Sequence, residues 1–115
     1  MDQARFQAGI ELFNRAAFFD AHEVLEDVWR AAPQKERLFL QGLIQVAVAF
    51  HHHSTGNLAG AQSLLARGCR NLETYPGDFA GVSLRDFLQA MTAWRDCFAG
   101  NASAPALPQI KLKKE

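Results

Sequence analysis

Apolar residues recur along this chain at three- and four-residue steps, and no segment sustains the period-two alternation of a half-buried strand. The pattern divides into five helical segments. In the first, about Asp2 to Ala16, Phe6, Ile10 and Phe13 form one stripe, and Gly9 permits close approach of a neighbour. The second, about Phe18 to Ala31, gathers Phe18, Ala21, Val24, Leu25 and Val28 on one face. Pro33 ends it, because the residue before a proline avoids helical angles. The third, about Gln34 to His53, is apolar nearly all round from Leu38 to Phe50, which predicts a buried central helix. Gly56-Asn57 stops it.

The fourth segment, about Leu58 to Tyr75, turns Leu58, Ala61, Leu64, Leu65 and Leu72 inward. Tyr75-Pro76-Gly77-Asp78 is a turn. Ser83, followed by Asp86, reads as a capping box for the fifth helix, which runs to about Phe98 and buries Leu84, Phe87, Leu88, Met91 and Trp94. The fold expected is all-α, a compact bundle of about five helices forming one domain over residues 1–100. Residues 101–115 are expected to be an extended or disordered tail, which Leu107, Ile110 and Leu112 could strap to a groove. A weak internal repeat adds detail. Ala21, Val24, Leu25 and Arg30 are echoed by Ala61, Leu64, Leu65 and Arg70, each in the second helix of a hairpin. This predicts tetratricopeptide-like hairpins, although two copies are too few for an open solenoid.

Composition narrows the classes of function. Hydrophobic residues make up 49% of the 115, enough for one core and too many for a disordered chain. Twelve Lys and Arg balance twelve Asp and Glu, so there is no general attraction to phosphate backbones or anionic lipid. Neither nucleic acid nor membrane is expected as a partner. The longest unbroken apolar run, Val46 to Phe50, is far too short to span a bilayer. Without a leading signal segment the expected location is cytoplasmic. Cys69 and Cys97 lack metal or redox spacing and are read as reduced.

All 4 histidines fall in two places: His22, and the run His51-His52-His53. On the second helix, His22, Glu26 and Trp29 share a stripe, while Glu23 projects roughly 80 to 100° away. On the third, Gln41, Gln45 and His52 align. An antiparallel hairpin of these helices would bring His52 near His22. Two imidazoles and one or two carboxylates suit zinc, or iron or manganese with open positions. A structural alternative stands beside this. His22 and Glu26 bond to each other, a third-helix Gln joins them, and Gln41, Gln45 and Trp29 complete a polar network that fixes helix register. A plain solvated face is the third reading. His22-Glu23-Val24-Leu25-Glu26 begins like a zincin motif but carries Glu26 where the second histidine belongs. No Ser or Cys has a nucleophile context, and no glycine-rich phosphate loop is present.

The run Phe19-Asp20-Ala21-His22-Glu23-Val24-Leu25-Glu26 with Trp29-Arg30, then Gln41-Gly42-Leu43-Ile44-Gln45 with Ala47, His52, Gly56-Asn57 and Gly60-Ala61, resembles the domain of unknown function 309 family. The resemblance covers about residues 9 to 75. It implies an all-helical bundle with tetratricopeptide-like hairpins and a metal-dependent hydrolase activity. The matched polar positions are His22, Glu23, Glu26, Gln45 and His52. Under that reading His22, Glu26 and His52 bind a divalent ion and Glu23 is the general base. Asp20 stands where the family pattern commonly has Glu, keeping the charge with a shorter reach. The rival expectation is a non-catalytic interaction or structural module, with an apolar groove for a protein partner or the chain's own tail. An apolar outer strip would also suit a homodimer.

Overall fold

A computed structural model describes residues 1–113. It is an all-α bundle of helices α1 (Gln3–Asn14), α2 (Phe18–Ala31), α3 (Gln34–Ser54), α4 (Leu58–Glu73) and α5 (Leu84–Phe98), with a 3₁₀ turn at Phe79–Gly81 before α5. Among the described residues no helix is long and apolar enough to cross a membrane. Each helix packs on its neighbour in sequence, and α3 lies between α2 and α4. The helix boundaries follow local chemistry. Asp2 caps α1 by accepting from the Arg5 N–H at 3.1 Å, and Asn57 caps α4 by accepting from Gly60 N–H at 3.0 Å. Ser83 departs from expectation, since its side chain makes no cap bond to α5. Its backbone N–H is committed to Lys111, and the Gly77 carbonyl receives the first α5 amides, from Leu84 and Arg85, at 2.9 and 3.2 Å.

The core has two parts. Where α1, α2, α3 and α5 meet, Phe18 stacks on Phe50 at 5.2 Å, with Phe13, Trp94 and Phe98 edge-on around them. Between α3 and α4 the contact is far closer. A Cβ placed on Gly68 would lie 2.8 Å from the Gly42 carbonyl oxygen, and one on Gly42 would lie 2.8 Å from Leu72. No side chain fits between these two backbones. Gly9 gives α1 a similar approach to α2, but its neighbour is the flexible tip of Leu25. The central helix is not covered all round as its composition suggested. Leu38 is 42% exposed and Gln41 also faces solvent, because α2 and α4 flank α3 without closing over its third side. Leu58, expected inward, is exposed at the first position of α4.

Residues 101–113 leave α5 and return across the molecule. Ile110 is buried, and Val82 pairs with Leu112 in an isolated antiparallel bridge. Ser83 N–H donates to the Lys111 carbonyl, and Lys113 N–H to that of Gly81.

Ala in place of Gly gains roughly 1 kcal/mol of helix propensity. Overpacking a rigid contact costs about 1–3 kcal/mol or more. Gly68→Ala should therefore destabilise the protein in urea unfolding, and by more than Gly9→Ala, whose Leu25 neighbour can rotate away. A second outcome concerns Cys69, which is buried in α4. Burial pushes its thiol from 9.0 up to about 11, with Glu73 adding to the rise and Arg95 opposing it. The folded state thus holds a proton that the unfolded state releases. This contribution to stability is complete below about pH 9 and is lost as pH climbs toward 11. Unfolding measured across that range should show a decline that Cys69→Ala reduces.

Candidate functional site on the outer face of helix α2

The apolar face of α2 packs Phe18, Ala21, Leu25 and Val28 into the core, which turns the remaining stripe to solvent. Phe19, His22, Glu23, Glu26, Asp27 and Arg30 line a shallow cavity of about 260 Å³ there. Steps of three and four residues bring them together, so Glu23 and His22 share this face despite their angular offset.

His22 Nδ1 lies 2.6 Å from the Phe19 carbonyl. A carbonyl can only accept, so Nδ1 carries the hydrogen and Nε2 is left with its lone pair unless the ring is protonated. Nε2 faces Glu26 Oε1 at 3.7 Å. The two form an ion pair only when the imidazole is charged. Asp27 accepts from Arg5 of α1 at 2.9 Å and from Arg30 at 2.7 Å, and Arg30 also approaches Glu26 at 3.6 Å. Asp20 and Glu23 have no ion pair among the described residues.

Phe19 is 50% exposed and sits between two imidazoles, edge-on to His22 at 4.9 Å and tilted against His51 of α3 at 5.2 Å. The histidine run therefore divides. His51 crosses to α2, and His52 follows 6.2 Å from it, ring to ring. His53 turns to the other side and stacks on Phe98 at 4.5 Å. About 100° per residue allows no other result.

The set His22, Glu26 and His52 is not gathered in one place. Among the described residues no group of three His, Cys, Asp or Glu side chains could hold a metal ion. The imidazole that reaches α2 is His51, one position before the expected His52, and it meets the Phe19 ring instead of Glu26. The expected polar network is also divided. Gln45 turns to α4 and accepts from Asn71 Nδ2 at 2.8 Å, because the side of α3 that carries it faces α4. Gln41 is exposed. Trp29 packs under the Arg37 guanidinium, 4.1 Å from the ring centre, and its buried indole N–H has no partner. Phe19 and His51 were missed in the sequence. The available signal was that Phe19 precedes His22 and Glu23 by one helical turn.

Comparison with known proteins places residues 6–64 within the family described as Domain of unknown function (DUF309), and the chain belongs to that family. It is 40% identical over 65 residues to the uncharacterized protein YpuF of Bacillus subtilis (strain 168), a match covering 56% of this chain and 37% of YpuF. It is 30% identical over 73 residues to an uncharacterized protein of Aquifex aeolicus (strain VF5), covering 63% of this chain and 22% of that one. The chain thus spans well under half the length of these relatives. The whole α2 face and His51 lie inside the family match.

Half exposure limits what Phe19 adds to the fold. Phe19→Ala should cost about 1 kcal/mol or less in urea unfolding, a fraction of the 1.5–3 kcal/mol for full burial. Phe18→Ala, next to it but in the core, should cost about 3–5 kcal/mol. Equal losses would place Phe19 in the core.

Proposed function

We propose that this member of the domain of unknown function 309 family is a non-catalytic helical interaction module. Its outer α2 face receives a cationic, amphipathic segment of a protein partner. One arrangement supports this reading: half-exposed Phe19, held between His22 and His51, with the unpaired carboxylates Asp20 and Glu23 beside it. An aromatic ring already fixed by its neighbours loses little freedom on binding, and such rings dominate interface energetics when a partner covers them. Nearby uncompensated carboxylates select the sign of that partner and speed its arrival. A two-fold homodimer through this face would set Asp20 and Glu23 against their own copies. Like-charge contact of that kind favours a different, cationic protein.

A metal-dependent hydrolase is the second reading, and the tautomer of His22 favours it. Nδ1–H bound to a backbone carbonyl, with Nε2 directed at a carboxylate, is how metal-ligating histidines are commonly oriented. Zinc, manganese or iron would find two donors here, His22 and Glu26. Catalytic zinc sites take three from protein. The residues of one chain therefore do not complete the centre, and no catalytic step is assigned to Glu23.

Chemical-shift mapping separates the two. The full chain, labelled with ¹⁵N, is titrated with a synthetic amphipathic helix of Leu and Arg, and separately with zinc and manganese. The module reading expects peptide-induced shifts confined to Phe19–Arg30 and His51, weaker at high salt, with affinity reduced about tenfold or more in Phe19→Ala. Shifts elsewhere, or binding indifferent to Phe19→Ala and Glu23→Lys, would contradict it. One tightly held metal per chain, lost in both His22→Ala and Glu26→Ala, would favour the hydrolase.

A further inference from the structure

The tail and its seat form a second recognition site on the opposite side of the function just described, and it is independent of that reading. Asn14, the last residue of α1, binds both backbone groups of Ile110. Its Nδ2 donates to the carbonyl at 2.9 Å, and its Oδ1 accepts the N–H at 2.7 Å. Trp94 Nε1 donates to the Ala106 carbonyl at 3.2 Å. Gly81 and Ser83 continue the pairing through Lys113 N–H and the Lys111 carbonyl. All of these contacts read backbone, as a sheet edge reads an added strand. Side chains set the pattern. Pro108 and Ile110 are buried, Leu112 is half-buried, and Lys113 approaches Asp78 at 3.5 Å. Beside the strap a cavity of about 400 Å³ stays open, lined by Asp86, Phe87, Ala90 and Trp94 of α5.

We propose that this groove is a binding site for extended peptides, and that residues 105–113 are its built-in ligand. The ligand class is an extended segment with a proline, then aliphatic residues at alternate positions, then a lysine. Exposed residues 99–104 tether the strap, and only a few of its side chains are buried. A segment of the same pattern on another protein can therefore exchange with it. The strap competes at the high effective concentration of a tethered ligand, so binding in trans emerges when its own anchor is weakened.

The test uses the full chain carrying Ile110→Asp, with Ile110→Ala as a milder second variant. A labelled synthetic peptide of residues 104–113 is added and followed by fluorescence anisotropy. The expected result is saturable one-to-one binding to either variant, much weaker binding to wild type, and none of a peptide carrying the same Asp. Adding Asn14→Asp, which keeps the acceptor and deletes the donor, should weaken binding by about tenfold. Folded variants that ignore the peptide would overturn the proposal. Loss of the helical fold in both variants would make the strap an integral part of the core and overturn it equally. Self-association of the variants that the peptide cannot reverse would also count against a separable ligand.

Discussion

The approach of two backbones, α3 at Gly42 and α4 at Gly68, sets the geometry on which the other elements depend. A contact with no side chain between two helices leaves no slack. It fixes the depth at which α4 sits on α3, the position of Leu72, and the burial of Cys69 next to Gly68. Dispersion is gained over many atoms at such close range, while the conformational freedom of two glycines is given up. With α4 held there, Asn71 meets Gln45, and the bundle gains a polar tie between the same helices at half-buried depth.

The two candidate recognition surfaces belong to different sides of this frame. The α2 face depends on α3 alone: Phe18 and Phe50 lock the start of α2 to the end of α3, and that contact delivers His51 to Phe19. The strap groove depends on α1 and α5, whose ends are brought together by Phe13, Phe87 and Trp94 around Phe50. Phe50 therefore joins both regions, since its ring touches groups from the α2 side and from the α5 side. Functional surfaces attached to a rigid core in this way need little rearrangement to bind.

Much of this architecture is legible in the sequence. Apolar stripes at helical spacing locate every helix to within one or two residues, because burying those stripes is what stabilises helices in a folded chain. Gly9 is readable as a close contact for the same reason. The site was less legible. Periodicity tells which residues share a face of one helix, but the rotation of α3 about its axis relative to α2 decides whether His51 or His52 arrives. That rotation is set by packing among Phe13, Phe18 and Phe50, which no local pattern encodes. The exposure of Phe19 and Leu38 has a similar origin: an apolar residue reads as core until the neighbours that fail to cover it are known. Ser83 shows the converse, with a cap motif in place and its backbone claimed by a strand pairing from far along the chain. Asn14 carried no signal at all, because a lone polar residue at a helix end resembles any other.

Residue-resolved hydrogen exchange of the native chain tests the central claim most directly. If the glycine contact organises the molecule, the last amides to exchange lie on α3 and α4 around Gly42 and Gly68, and they open only with global unfolding. Amides of α2's first turn and of Ile110 and Lys113 should exchange earlier. Slowest exchange in α1 and α2, with the α3–α4 seam opening first, would contradict the account.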